Sequence, residues 1–149
     1  MIIAIDGPSG SGKSSTAKAV AKALDFTYLD TGAMYRAVSV GVLRSGIDPE
    51  DEKSVSEAVM DMTVDFKGNS VMLNGDDVTL AIREDAANKA VTPVSANPAV
   101  RELLVEKQRD FAERNDIVME GRDIGTVVFP NASDTSLKRK HRKIDIGRH

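Results

Sequence analysis

The chain has 149 residues, with 20 Lys+Arg against 23 Asp+Glu, and 41% of it is hydrophobic. This composition suits one soluble globular domain with a small insert, and no apolar run approaches the ~20 residues that a membrane-spanning helix needs. Cysteine is absent and both histidines, His141 and His149, lie near the C-terminus, so the body offers no disulfide, no thiolate or imidazole metal site and no Ser-His triad.

In chain order, Ile2-Ile3-Ala4-Ile5 is a short apolar run closed by Asp6-Gly7-Pro8, the pattern of a buried strand and a turn. Lys13 to Leu24 carries Ala17, Val20, Ala21 and Leu24 at helical spacing, and Phe26 to Leu29 is a second short strand. Thr31 to Leu43 follows as a helix capped by Asp30 or Thr31. Strand, loop, helix, strand and helix in that order predict a parallel α/β sheet. The middle differs. Thr63 to Phe66 and Ser70 to Leu73 alternate around a Lys67-Gly68-Asn69 turn, with Val78 to Leu80 as a third short strand. That is a small antiparallel insert at about residues 60–96. Helices are expected over Ile82 to Val91 and Ala99 to Arg114, with Pro93 and Pro98 marking the break between them, and Asp116 to Glu120 is a further core strand.

The charge is uneven. Residues 1–133 carry 14 basic and 21 acidic groups, whereas residues 134–149 carry 6 basic and 2 acidic. The acidic body does not suit nucleic acid. Residues 133–149, with Lys138-Arg139-Lys140-His141-Arg142-Lys143 at their centre, have no amphipathic period and read as a disordered tail.

The strongest chemical signal is Gly7-Pro8-Ser9-Gly10-Ser11-Gly12-Lys13-Ser14, an ungapped G-x-x-x-x-G-K-[ST] between a strand and a helix. Glycines let the backbone curl so that successive N–H groups point at anionic oxygens, and the helix start adds its positive dipole end. Lys13 can reach the β- and γ-phosphates of a nucleoside triphosphate, and the Ser14 hydroxyl can ligate Mg²⁺. Residues Gly7 to Ser15 are therefore the expected ATP site, with Ser14 as the metal ligand. The motif does not say what receives the phosphoryl group.

Thr31-Gly32-Ala33-Met34-Tyr35-Arg36 follows the second strand, and Arg122 follows the strand that ends at Glu120. Ligands of parallel sheets bind beyond the carboxyl ends of the strands, so two arginines there suit a second phosphate. Each arginine on its own also reads as a solvated surface residue.

These segments, with Pro98-Ala99-Val100-Arg101 and Glu120-Gly121-Arg122-Asp123-Ile124-Gly125-Thr126-Val127-Val128-Phe129-Pro130, resemble bacterial cytidylate kinases over about residues 1–132. The Gly-Arg-Asp-Ile-Gly-Thr-Val-Val-Phe-Pro run is the most specific, because other nucleoside monophosphate kinases lack it. The resemblance implies a nucleoside monophosphate kinase-like P-loop fold with a CMP-binding insert. It also implies transfer of the γ-phosphoryl group of ATP, with Mg²⁺, to CMP or dCMP. Lys13, Arg36 and Arg122 would be catalytic. Thr31, Arg36 and Arg122 would hold the acceptor phosphate, and Thr92, Arg101 and Asp123 would read the cytosine edge. Asp123 reads equally as an ion-pair partner of Arg122, and Thr92 equally as a helix-breaking turn residue before Pro93. Asp30 and Glu120, at strand ends, would hold Mg²⁺ waters, although Asp30 is also a helix cap. The acceptor is already an oxyanion near neutral pH, so no general base is required.

Members of that family are longer. After the Phe-Pro-Asn-Ala segment they continue with another strand, an arginine-rich lid helix and further elements, whereas here the basic tail follows. The expectation is a truncated or frameshifted chain, with β-strand Ile2 to Ile5 left at an exposed edge, weak or no kinase activity and marginal stability. A non-catalytic nucleotide-binding remnant and another small P-loop kinase are the alternatives. Lacking a targeting segment, the chain is expected in the cytoplasm as a monomer, with small-molecule substrates and neither membrane nor nucleic acid as partner.

Overall fold

The computed structural model describes residues 2–6, 13–67, 70–121 and 141–145. They form two units by contact, one of residues 1–31 with 105–149 and one of residues 32–104.

The first unit is built on a parallel sheet. Its strands are β1 (Ile2–Asp6), β2 (Thr27–Asp30), β6 (Ile117–Gly121) and β7 (His141–Asp145), in the order β2-β6-β1-β7. Every pairing is parallel, with Ile2 opposite Ile117 on one side of β1 and opposite His141 on the other. Helix α1 (Lys13–Leu24) follows β1, and it packs because its Ala17 and Ala21 are small. They bury against Ile3 and Val118, and Val20, Phe26 and Tyr28 close over that cluster. The α/β class and the first three elements agree with the sequence pattern.

Two expectations about this unit are corrected. β1 is not an exposed edge, because β6 and β7 pair with both of its sides. Nor is the basic tail without structure throughout, since His141–Asp145 forms β7. The physical reason is the demand of β1 for partners: an apolar strand with one row of unpaired N–H and C=O groups recruits a neighbour. The pattern was hidden because His141-Arg142-Lys143-Ile144-Asp145 lacks hydrophobic alternation. Charge is nonetheless the usual composition of a strand at the margin of a sheet.

The second unit holds α2 from Gly32 onward, α3 (Glu52–Val59), the sheet β3 (Val64–Lys67), β4 (Ser70–Leu73) and β5 (Asp76–Asp77), α4 (Asp85–Ala96) and the start of α5 (Pro98–Arg114). Helix α2 (Thr31–Arg44) is buried almost all round between Ala33 and Val42, as a helix in a core must be. Gly41 lets it approach closely: a Cβ there would lie 2.8 Å from the Met62 sulfur and 3.1 Å from Leu73.

The β3–β4 hairpin is antiparallel as expected, with Val64 opposite Leu73. The third strand is displaced. It is Asp76–Asp77, joined to β4 by Asn74-Gly75, and Val78 to Leu80 lies outside it. Asn74 and Gly75 have φ of 52° and 85°, the doubly positive pair that a two-residue hairpin turn requires. Helix α3 has no counterpart in the sequence reading. Its Asp51 cap accepts from the Ser54 N–H at 3.2 Å and from the Ser54 hydroxyl at 2.8 Å, and only Val55 and Val59 are buried. Those bonds hold the Asp51 carboxyl below the usual carboxylate range.

Pro93 does not break a helix. It lies inside α4, which runs on to Ala96, at the cost of the one hydrogen bond its missing N–H would have made. The break falls at Asn97 alone. Pro98 takes the first helical position of α5, where its missing N–H costs nothing. The Asn97 side-chain oxygen accepts from Ala99 N at 2.9 Å and Val100 N at 3.4 Å, and its Nδ2 donates to the Glu52 carbonyl at 3.0 Å. One buried asparagine thus caps α5 and ties it to α3.

Candidate active site

In the first unit the register aligns the strand ends. Asp6 is opposite Gly121, and Glu120 is opposite both Ile5 and Asp30. The carboxyl edge of the sheet therefore gathers the end of β1, Asp30 and Glu120. Gly7 to Gly12 lie outside the described residues; Lys13 and Ser14 are the first residues of α1, and Ser15 is exposed on it. Arg122 and Asp123 also lie outside the described residues, immediately after Gly121.

Glu120 is buried, at 4% exposure. A carboxylate taken out of water needs donors, and β2 supplies one: the Tyr28 hydroxyl donates to Glu120 Oε2 at 2.5 Å. The Thr31 hydroxyl donates to the Glu120 backbone carbonyl at 2.8 Å. Thr31, expected to contact a phosphate, thus spends its proton on joining the ends of β2 and β6. The Lys18 ammonium lies over the Tyr28 ring, 5.7 Å from its centre. Tyr28 was not among the expected residues, since the β2–β6 register that brings it to Glu120 is a long-range property.

In the second unit, Arg36 is half-buried on α2, and its Nε donates to Asn88 Oδ1 on α4 at 3.3 Å. The neighbouring Tyr35 hydroxyl accepts from Arg101, near the start of α5. Burial pushes the Tyr35 phenol up, and the Arg101 cation only partly offsets this, so the hydroxyl stays neutral. Thr92 is exposed on α4 and helical, which corrects its reading as a turn residue; its carbonyl accepts from the Ser95 hydroxyl. Asn88 and Thr92 are four residues apart on α4 and share a face. The structure therefore joins Arg36 to Asn88, Arg101 to Tyr35 and Thr31 to Glu120. Asn88 and Tyr35 gave no sequence signal, because a polar residue on a helix reads as a solvated face.

Among the described residues no helix is long and apolar enough to cross a membrane, and no three His, Cys, Asp or Glu form a group that could hold a metal.

A sequence model of the family described as cytidylate kinase matches residues 3–137. The chain is 52% identical over 130 residues to a cytidylate kinase of Caldanaerobacter subterraneus subsp. tengcongensis, covering 87% of this chain and 58% of that one. It is 42% identical to a cytidylate kinase of Solibacter usitatus, covering 97% and 66%, and 48% identical to one of Chlorobaculum tepidum, covering 98% and 66%. The last two alignments cover too much of the chain to stop at residue 132, so the similarity runs into the basic tail, further than expected. The chain spans 58–66% of the length of these curated relatives. With the family model matching most of the chain and the parallel sheet in place, the chain belongs to the cytidylate kinase family.

Proposed function

We propose that the chain transfers the γ-phosphoryl group of ATP to CMP or dCMP, giving CDP or dCDP. One observation carries this reading: the unbroken phosphate-loop sequence stands between β1, an interior strand of a parallel sheet, and α1, which begins at its lysine. A helix N-terminus that follows such a loop gathers N–H groups and a positive dipole end at one anion. Lys13 then neutralises the β- and γ-phosphates. The residues Gly7 to Ser15 form the donor site.

Mg²⁺ fits the residues at hand, since it takes one or two protein oxygens and fills its shell with waters and phosphate oxygens. Ser14 would hold it directly, and Asp30 and Glu120 would hold its waters. When bound, it supplies charge neutralisation along the donor phosphates.

On the acceptor side Arg36 and Arg122 grip the monophosphate, while Thr92, Arg101 and Asp123 read the cytosine edge. Thr31 supports that site by holding the ends of β2 and β6 together. The incoming phosphate oxygen is already anionic, so the protein contributes position and charge and removes no proton. In this reading residues 1–132 are the kinase core, with the CMP-binding insert at about 60–96. The protein works as a cytoplasmic monomer on small nucleotides, without nucleic acid or membrane.

The test is ADP formation from Mg-ATP with CMP, AMP, UMP or shikimate as acceptor. Turnover with CMP and none with AMP is expected. Turnover with AMP or shikimate and none with CMP overturns the acceptor assignment.

A further inference from the structure

The two described arginines assigned to the acceptor share an arrangement. Each is held by a neutral side chain from another helix: Arg36 by the Asn88 carboxamide at 3.3 Å, and Arg101 by the Tyr35 hydroxyl. Among the described residues neither has a carboxylate partner. An arginine needed only for stability is satisfied as well or better by an acid. A neutral acceptor does something different: it fixes the guanidinium plane and leaves its charge available to a ligand.

The particular nitrogen also matters. Guanidinium presents its N–H groups in a fixed planar fork. The bond from Nε to Asn88 occupies the side edge of that fork, which leaves the two terminal nitrogens for a second partner. Their parallel N–H groups match two oxygens of one phosphate. Asn88 thus selects which edge of Arg36 faces an anion.

Resting on the function proposed above, we propose that Asn88 is a positioning residue for the acceptor monophosphate. It acts through Arg36, holding the terminal edge of the guanidinium toward the phosphate without neutralising it. Asn88 shares its face of α4 with Thr92, so one helix face supplies both the support for the phosphate grip and a residue assigned to the base.

The experiment measures binding of CMP and of cytidine, which lacks the phosphate, to the full chain by calorimetry or ligand-observed NMR. The proteins are the wild type, Asn88→Ala, Asn88→Asp and Arg36→Ala. Asn88 is exposed, so its variants are expected to fold, and circular dichroism checks this. Loss of the bond is expected to weaken CMP about 3–10-fold in Asn88→Ala. Asn88→Asp is expected to lose ~10-fold or more, because its carboxylate competes with the phosphate for Arg36. Cytidine binding stays within about twofold of wild type in both, as it must if only the phosphate contact is lost. Equal losses for CMP and cytidine overturn the proposal, since they indicate a merely structural role. Unchanged CMP binding in Asn88→Ala, with a clear loss in Arg36→Ala, overturns the role of Asn88 and leaves the function standing. A wild-type chain that does not bind CMP, or an Arg36→Ala chain that binds it normally, overturns the underlying reading as well.

Discussion

The two units treat charge in opposite ways. In the first, the carboxylate of Glu120 is buried at the sheet edge and accepts the Tyr28 hydroxyl at 2.5 Å, while the Thr31 hydroxyl takes its carbonyl. In the second, Arg36 and Arg101 lie toward the surface and are steered by an amide and a phenol. The first arrangement ties two strand ends together, and removing a donor from a buried carboxylate is costly. The second holds each cation against a neutral acceptor. In the proposed function Lys13, of the first unit, serves the donor phosphates, and Arg36, of the second, serves the acceptor phosphate.

The largest effect that sharpens this contrast belongs to the donor side. Lys13→Ala is expected to lower CMP-dependent ADP formation by at least ~10²-fold, because it removes a cation aimed at the charge that develops in transfer. A steady-state assay at saturating ATP checks it, and a wild-type rate would break the donor assignment.

Next is the tie between the strand ends. Tyr28→Phe keeps the ring and removes only the hydroxyl, so Glu120 Oε2 loses that donor. The expected cost is about 1–3 kcal/mol, seen as a fall of roughly 3–10 °C in Tm. An unchanged melting temperature would show that the bond between β2 and β6 contributes nothing to stability.

In the second unit the corresponding structural residue is Asn97, which caps α5 and holds α3. Asn97→Ala is expected to cost about 1–2 kcal/mol, measured by urea denaturation. Asn97→Ser, which retains a capping oxygen but not the amide donor to Glu52, is expected to lose less.

The smallest expected change has the opposite sign. Gln108, on α5, is 1% exposed, and among the described residues its side-chain oxygen has no hydrogen-bond partner. Gln108→Met keeps the volume and removes the unpaired polar group, so stability is expected to rise by about 1 kcal/mol. A loss in the same denaturation experiment would show that the amide is satisfied in solution.

Local signals made much of the fold legible. The apolar run at Ile2 to Ile5 and the helical spacing from Ala17 to Leu24 yield β1 and α1 with nearly the right limits, and α2, α5 and β6 follow similarly. Where the local signal was thin, the reading failed. Helix α3 has only Val55 and Val59 to mark its face, and β5 was placed on Val78 to Leu80 although Asn74-Gly75 is the stronger hairpin cue. Strand β7 carries no pattern of its own, because its place is set by the unpaired side of β1.

The site divides along the same line. The phosphate-loop motif is contiguous in sequence, so Lys13 and Ser14 could be named from spacing alone. Arg36 and Arg101 could be named from resemblance, but the groups that hold them could not. Asn88 is 52 residues from Arg36 in sequence, and Tyr28 is 92 from Glu120. Such pairs exist only once the chain is folded, and neither residue type is distinctive on a helix or a strand.

The division of labour between Lys13 and Arg36 is tested most directly by binding, with ATP and CMP titrated separately into Lys13→Ala and Arg36→Ala. The account predicts a crossover: Lys13→Ala loses affinity for ATP and retains it for CMP, while Arg36→Ala loses ~10-fold or more for CMP and retains ATP. If both variants lost both nucleotides equally, or if Arg36→Ala lost ATP in place of CMP, the assignment of Lys13 to the donor and Arg36 to the acceptor would be contradicted.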